Sequence, residues 1–317
     1  MGVKPHKGLA WLELIRVFNI PIPLAGMLVG ACAASSQLGE LWGVLALASI
    51  LGCAATQCFN DYEDREVDGQ NAAFRPIPSG VLAPHEVLIV GHVLIAIWAG
   101  LSLIYSGWAA AIVGFVYLLT RWYSRLKRSS LIHHLLLPAA LGLMPIYGSF
   151  LATGQVHALA WFAACSIFLI DINMNIIGTF KDLFEGAAHE RVLPLVWGSR
   201  PAVLTALLVG LLGITVQLLA LGLGLCGALP AIPLALGAAL TLDSRLRLLR
   251  TPNASVGYAA LKSGRLTECL TFPALLAGVL PLRLAVFIIA ALTLFALFAQ
   301  TLIPEAELPA GAETKSG

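Results

Sequence analysis

The chain has 317 residues, of which 59% are hydrophobic and only 11% are charged, and its formal net charge is +2. Soluble domains carry about 25% charged residues. This composition therefore excludes an ordinary water-soluble enzyme, a disordered chain and a small secreted module held together by disulfides. A net charge so close to zero gives no electrostatic footprint of a nucleic-acid-binding protein, and we expect no nucleic-acid partner.

Ten apolar runs divide the sequence into predicted membrane-spanning helices. Crossing a bilayer takes about 20 apolar residues per helix, and the backbone there must satisfy its own hydrogen bonds. The sequence therefore predicts an all-α, polytopic membrane helix bundle. The runs cover residues 15–35, 41–60, 86–106, 108–121, 132–152, 157–181, 201–224, 228–243, 260–281 and 284–303. Only three residues separate the last two runs, which form either a tight hairpin or one poorly divided region.

Lysine and arginine are concentrated on one side of the predicted bundle. The loops after odd-numbered spans carry neither residue, with the exception of Arg283, whereas the N-terminus and the other loops are basic. The positive-inside rule places the basic side in the cytoplasm. We therefore expect an integral, multi-pass protein of the inner (cell) membrane. Residues 1–14 are predicted to form a cytoplasmic N-terminal segment, and the polar residues 304–317 a disordered tail.

The second span carries an acidic face at its cytoplasmic end. Five of the seventeen Asp and Glu residues lie between Asp61 and Gln70. If the helix continues past the membrane, Gln57, Asp61, Asp64 and Asp68 follow at steps of four, three and four and share one face. Asn60 lies at the edge of this face, one turn before Asp64.

The sixth span repeats this arrangement. Its polar residues follow at steps of four, three, four and three: Asp171, Asn175, Gly178, Asp182 and Glu185. A carboxylate inside a membrane helix costs at least about 2.5 kcal/mol, so Asp171 is expected to face the interior of the bundle. Both acidic faces end on the cytoplasmic side.

Two interpretations of these carboxylates remain open from the residues alone. In one interpretation they are solvent-exposed charged residues that Arg65 neutralises. The other, favoured by two matching faces, is a divalent-cation site, because Mg²⁺ prefers oxygen ligands and typically bridges carboxylates to substrate phosphates. Three basic residues on the same side are suited to a diphosphate: Arg75, Lys127 and Arg128. Two prolines in the turn Arg75-Pro-Ile-Pro-Ser-Gly80 hold Arg75 beside the first face.

Several motifs together resemble the UbiA superfamily of intramembrane prenyltransferases. The first is Asn60-Asp61-x-x-Asp64-x-x-x-Asp68 followed by Asn71 and the Arg75–Gly80 turn. Arg16-x-x-Asn19 and Tyr123-Ser124-x-Leu126-Lys127-Arg128 resemble the family's first-helix and middle-loop motifs. Phe180-Lys181-Asp182-x-x-Glu185-Gly186 resembles its second acidic motif. That motif is about four residues short here, and Ile177-Gly178 replaces an Arg-Glu pair common in several branches.

The resemblance implies nine transmembrane helices, Mg²⁺ as cofactor and a polyprenyl diphosphate as substrate. The helix at 284–303 is additional to those nine. Five acidic residues would be catalytic and bind the metal: Asp61, Asp64, Asp68, Asp182 and Glu185. Six residues would bind or support the substrate: Asn19, Asn60, Arg75, Lys127, Arg128 and Lys181. The membrane prenyltransferase domain would cover residues 15–303.

The leading functional hypothesis is Mg²⁺-dependent transfer of a polyprenyl group to a small lipophilic or aromatic acceptor, through a ring carbon or a hydroxyl. A second hypothesis is a UbiA-type membrane terpene cyclase, which would use the same ionisation without an acceptor. A third is a catalytically degenerate membrane protein that binds a prenyl lipid. The acidic motif resembles both the digeranylgeranylglyceryl phosphate synthase and the chlorophyll synthase branches. The start Leu12-Glu13-Leu14-Ile15-Arg16 favours the former.

Overall fold

The computed structural model describes residues 7–127, 129–184 and 191–302, with only the backbone of residues 71, 181–184, 254 and 299–302. All regular structure in these ranges is helical, as the composition predicts. A 3₁₀ turn, Val17–Asn19, follows the first helix. The fourteen α-helices are α1 Lys7–Ile15, α2 Pro21–Ala34, α3 Leu41–Asn71, α4 Pro84–Tyr105, α5 Gly107–Leu126, α6 His133–Gly142, α7 Met144–Thr153, α8 Ala158–Phe184, α9 Leu193–Trp197, α10 Ser199–Gly222, α11 Ala231–Arg250, α12 Ala254–Thr271, α13 Leu276–Val279 and α14 Leu282–Leu302.

Each of the ten apolar runs coincides with a helix or with two successive helices. Five described segments are long and apolar enough to cross a membrane, or six if the bent pair α1–α2 counts as one span. The predicted nine transmembrane helices and one additional helix are therefore not confirmed by this criterion of helix length and hydropathy. One reason is that some bundle helices carry charged side chains within their length: α11 contains Arg245, and α12 contains Arg265 and Glu268.

One predicted span is bent, and another is one candidate span made of two successive helices. The first bends by 46° between Lys7–Asn19 and Pro21–Ala34, so α1 lies across the expected boundary between residues 14 and 15. Ala10 and Leu14 of α1 are buried in a cluster with Cys58 of α3. The run 132–152 divides into α6 and α7, where Pro145 occupies the first turn of α7 because it has no N–H to donate to the preceding turn.

The last two runs form separate helices. α12 ends at Thr271, the short helix α13 follows, and α14 begins at Leu282. Of the two possibilities left open by the sequence, the structure therefore shows two helices joined by a helical connection. Large apolar side chains of α14 such as Phe287 and Leu294 are exposed, as expected for a surface that faces lipid.

The length of α3 places its acidic end beyond the hydrocarbon core. Its 31 residues extend over about 46 Å at about 1.5 Å per residue, whereas the core of a bilayer is about 30 Å thick. The expected continuation of the second span as a helix through Asp68 is confirmed. The aspartates therefore lie in the last three turns, where water and an ionic substrate have access.

Close packing of α2 against α7 depends on glycines. A Cβ added at Gly30 would overlap the carbonyl oxygen of Pro145, and one added at Gly148 would overlap that of Met27. Gly26 and Gly30 are four residues apart, the spacing with which small residues allow membrane helices to approach closely. Because backbone atoms lie on both sides of this contact, side-chain rearrangement cannot relieve an added methyl group.

We expect Gly30→Ala to lower the thermal unfolding midpoint of the purified protein by several degrees, since overpacking typically costs about 1–3 kcal/mol. The matched control is Gly100→Ala on α4, where an added Cβ meets no atom within 4 Å. Differential scanning fluorimetry in detergent measures both variants. Equal midpoints for the two variants would contradict the close α2–α7 contact.

Candidate active site

The three aspartates of α3 each meet a cation from a different part of the chain. Asp61 and Asp68 are buried, so each needs a counter-charge. The ion pairs are Arg16 Nη2 to Asp61 Oδ1 at 3.0 Å, Lys127 Nζ to Asp64 Oδ2 at 3.2 Å and Arg75 Nη1 to Asp68 Oδ2 at 2.6 Å. Each of these contacts uses one carboxylate oxygen. The acidic face predicted from the sequence therefore exists, but Arg65 is not its partner, because Arg65 pairs with Glu66.

Arg16 reaches the site through a rare backbone conformation. Its φ of 48° and ψ of 61° are left-handed, and it is the one non-glycine residue with positive φ in the described ranges. Such conformations cost about 1–3 kcal/mol and cluster at functional sites. The turn separates α1 from the Val17–Asn19 3₁₀ turn and directs the guanidinium to Asp61. Arg16 was quoted in a motif but was not among the predicted site residues.

Arg75 is held by the turn between α3 and α4. Leu82 N donates to Pro76 O at 2.9 Å, and Gly80 has the left-handed φ of 72° that glycine adopts without strain. Burial alone lowers the pKa of Arg75, but the charge and hydrogen bond of Asp68 outweigh it. The pKa of the guanidinium is therefore raised above its ordinary value, and Arg75 keeps its charge beside the aspartates.

The end of α5 packs against the same acidic face. Ser124 Oγ donates to Asn60 Oδ1 at 2.8 Å, and Lys127 follows within one turn to meet Asp64. These contacts bring the middle-loop motif and the first acidic motif together. The predicted site residue Arg128 lies outside the described residues.

The second acidic motif falls largely beyond what the structure describes. Lys181 and Asp182 lie in α8, but their side chains are outside the described part, and Glu185 is outside the described residues altogether. Their site roles stay predictions. Upstream on the same helix, Asp171 and Asn175 line a cavity that α3 also lines. The polar faces of α3 and α8 therefore border one common space.

This cavity has a volume of about 330 Å³ and is lined by both polar and apolar side chains. The segments up to the end of α3 contribute the polar residues Arg16, Asn19, Gln57 and Asn60, and α8 and α12 contribute Asp171, Asn175, Arg265 and Glu268. Its apolar lining includes Met27, Val116, Leu137, Met144 and Trp98. Ligand pockets commonly combine an apolar lining with a few polar groups that fix orientation.

A buried hydrogen-bond network closes the apolar part of the cavity. Trp98 Nε1 donates to Tyr147 Oη at 2.9 Å, and Ser102 Oγ lies 2.9 Å from the same hydroxyl. Gly52 allows this close approach, because an added Cβ would lie 2.8 Å from the Trp98 ring. The network fixes the indole in place on the cavity wall.

Of the polar cavity residues named above, six were not among the predicted site residues: Arg16, Gln57, Asp171, Asn175, Arg265 and Glu268. Gln57 lies on the same face of α3 as the aspartates, and its spacing from them in the sequence could have identified it as a site residue. Arg265 and Glu268 stand in α12 without a recognisable motif. Arg265 places its guanidinium over the Phe18 ring, 5.0 Å from the centroid, so α12 meets the turn that carries Arg16.

The acidic face suits Mg²⁺ that is shared with a phosphate rather than a metal held by protein alone. Among the side chains that the structure describes, which do not include that of Asp182, no three from His, Cys, Asp or Glu converge on one metal position. Mg²⁺ usually keeps several waters and takes one or two carboxylates plus substrate phosphates. Asp61, Asp64 and Asp68 supply hard carboxylate oxygens of that kind, so the residues present fit this cation.

The family follows from a comparison of the sequence with known families. The model of the UbiA prenyltransferase family matches residues 23–264. The chain belongs to this family. The match includes the first acidic motif and most of the residues that line the cavity, so the predicted family and the predicted prenyltransferase activity are confirmed. As a UbiA protein with several apolar helices, the chain is an integral, multi-pass membrane protein.

Curated relatives are digeranylgeranylglyceryl phosphate synthases of archaea. The enzyme of Pyrococcus abyssi is 29% identical over 271 residues, which cover 83% of this chain and 95% of the relative. The enzyme of Methanopyrus kandleri is 30% identical over 200 residues, 62% of this chain and 73% of the relative.

Solved structures of UbiA homologues share the fold. The apo homologue from Aeropyrum pernix superposes with a TM-score of 0.67 at 18% identity, covering 89% of this chain and 98% of that one. A homologue from Archaeoglobus fulgidus, solved with GPP and Mg²⁺, superposes with a TM-score of 0.63 at 14% identity, covering 84% and 99%. At these identities the likeness establishes the membrane-bundle fold.

We expect Arg16→Gln to destabilise the protein by about 1–3 kcal/mol, because it leaves the buried Asp61 carboxylate without its partner. Adding Asp61→Asn should recover part of this loss. The matched control is the exposed pair Arg247–Asp243, with side chains 72% and 60% exposed, where the same two changes should have little effect. Melting midpoints of all single and double variants test this, and additive effects at Arg16 and Asp61 would contradict it.

Proposed function

We propose that the protein transfers a polyprenyl group from a prenyl diphosphate to a hydroxyl of a glycerol phosphate acceptor. The observation that carries the proposal is the acidic face with its three cations, next to a largely apolar cavity that Arg16, the partner of Asp61, also lines. The product named for the curated relatives, digeranylgeranylglyceryl phosphate, supports a hydroxyl on glycerol phosphate rather than an aromatic ring.

The site residues divide by charge. Asp61, Asp64 and Asp68 would hold Mg²⁺ or its waters, and Asp182 of α8 together with Glu185 would complete the site. Bound Mg²⁺ supplies charge neutralisation of the diphosphate leaving group. The cations that contact the diphosphate would be Arg75, Lys127, Arg128 and Lys181, with Asn19 and Asn60 as supporting groups.

The cavity accounts for the remaining requirements of the reaction. Its apolar side chains, among them Met27, Val116 and Met144, accommodate an isoprenoid chain. They also exclude water, which protects a carbocation-like prenyl group from hydrolysis. The acceptor oxygen then captures the prenyl carbon as the diphosphate departs.

The orientation follows from the basic loops. Lys127 and Arg75 bind the acidic face from segments of the basic side, which the positive-inside rule assigns to the cytoplasm. We therefore propose that the active site opens to the cytoplasmic side of the cell membrane. The membrane prenyltransferase domain is proposed to cover residues 15–303, between a cytoplasmic segment at 1–14 and a tail at 304–317.

The proposed reaction is tested with the purified protein, labelled geranylgeranyl diphosphate, geranylgeranylglyceryl phosphate and Mg²⁺. We expect a prenyl ether product by mass spectrometry, together with release of diphosphate. EDTA should abolish the reaction, and added Mg²⁺ should restore it. A cyclised hydrocarbon formed without acceptor would identify a terpene cyclase instead. Binding without diphosphate release for any common prenyl chain would identify a non-catalytic prenyl-lipid-binding protein.

We expect Asp64→Asn to lower the transfer rate at least about 100-fold, because loss of metal-linked charge stabilisation is worth several kcal/mol. Asp243→Asn is the matched control, since Asp243 is an exposed residue of α11 that pairs with Arg247. Rates of ether formation at saturating donor and acceptor are compared. Asp64→Asn with the activity of the parent would contradict the assignment of the acidic face.

A further inference from the structure

The cavity contains a pair of carboxyl groups that belongs to neither acidic motif. The carboxyl groups of Asp171 of α8 and Glu268 of α12 lie within hydrogen-bond reach of each other, and both line the cavity. Glu268 is 3% exposed. Charged groups at such depth in a membrane bundle are rare and usually functional. None of the roles proposed above uses this pair.

A hydrogen bond between two carboxyl groups requires a proton on one of them. An ionised carboxylate only accepts hydrogen bonds, and two adjacent carboxylates do not readily ionise together. The pair therefore holds one proton and retains one carboxylate. It has the capacity to accept a second proton.

The pair also has an unused acceptor. Glu268 Oε1 is buried and has no hydrogen-bond partner. On the facing helix α3, Gln57 Oε1 is likewise buried and without a partner, and Gln57 lines the same cavity. A buried unpaired acceptor costs about 1–3 kcal/mol. Two such oxygens in one cavity match a ligand that donates hydrogen bonds.

The surrounding charges stabilise the remaining carboxylate. The positive charges of Arg265 and Arg245 act on Glu268. Arg245 is fully buried and is fixed by hydrogen bonds to Asn173 Oδ1 at 3.0 Å and Ala260 O at 2.9 Å. It joins α11 to α8 and α12, which holds the two helices of the pair in register.

Asn175 extends the polar wall toward the cytoplasmic side. Leu193 N donates to His134 Nε2 at 3.2 Å, so the ring proton is on Nδ1, which donates to Asn175 Oδ1 at 2.7 Å. With its oxygen engaged, Asn175 offers its amide hydrogens to the cavity. The wall formed by Asp171, Asn175 and Glu268 thus combines acceptors with a donor, as a polar head group requires.

We propose that the Asp171–Glu268 pair binds the hydroxyl of the prenyl acceptor and takes up its proton; this rests on the proposed function. The acceptor oxygen forms a bond to C1 of the prenyl chain. The bond between C1 and the diphosphate oxygen breaks, and its electron pair leaves with the diphosphate. The hydroxyl proton passes to the carboxylate of the pair, which returns it to solvent after product release.

The test compares Glu268→Gln and Asp171→Asn with the parent and with Asp243→Asn, using the full chain in nanodiscs. The donor is labelled geranylgeranyl diphosphate and the acceptor is geranylgeranylglyceryl phosphate. Ether formation, acceptor KM, donor affinity and the ratio of free prenol to ether are measured, together with melting midpoints. If Glu268→Gln does not fold, Asp171→Asn decides the question by the same measurements.

Loss of the proton acceptor should lower turnover about 100-fold or more, within the range for general bases. Acceptor KM and donor affinity should stay within threefold of the parent, because the amide still hydrogen-bonds and the diphosphate site is intact. The ratio of prenol to ether should rise, since ionised donor is then captured by water. A purely structural role would not change this ratio.

Turnover within threefold of the parent in both variants would overturn the proposal. A rise in acceptor KM at unchanged turnover, or a joint loss of donor binding and transfer, would overturn it as well. In each of these outcomes the parent protein still forms the ether. If the parent itself forms no ether with this acceptor, the proposed function fails, and the role of the pair fails with it.

Discussion

The structure depends on compensating a row of negative charge at the edge of a membrane. Three aspartates on one face of α3 repel one another, and two of them are buried. Each is stabilised by a cation from a separate segment: the turn after α1, the turn after α3 and the end of α5. These three ion pairs hold the three segments against α3, and one of the cations, Arg16, also lines the cavity. The same interactions that hold the fold therefore also assemble the site.

This arrangement explains how the same residues can serve both the substrate-free and the substrate-bound protein. Without substrate, the cations neutralise the carboxylates directly. If Mg²⁺ and a diphosphate are bound, the carboxylates would hold the metal and the cations would be available to the phosphate oxygens, so the total charge would stay balanced. The strained backbone of Arg16 and the rigid turn around Arg75 keep both guanidinium groups at the site. The cavity lined by Arg16 also presents apolar side chains that an isoprenoid chain can contact.

Local sequence patterns predicted much of this, and contacts between distant segments accounted for the rest. The ten apolar runs located the helices, and the spacing from Gln57 to Asp68 located the acidic face, because both patterns depend on residues within a few turns. The division of 132–152 into α6 and α7 and the conformation of Arg16 were not predictable, since tertiary packing selects them. Glu268 gave no signal because it stands alone in α12, and its partner Asp171 comes from another helix.

The central claim is that α3 and α8 bind one diphosphate between their acidic ends. The most direct measurement is the affinity of a non-hydrolysable prenyl thiolodiphosphate, with Mg²⁺ present, for the parent, Asp182→Asn and Asp68→Asn. We expect each variant to bind the analogue at least about tenfold more weakly, as loss of groups around a metal typically does, while Asp243→Asn binds like the parent. Parental affinity in Asp182→Asn alongside weakened binding in Asp68→Asn would contradict a site shared by the two helices.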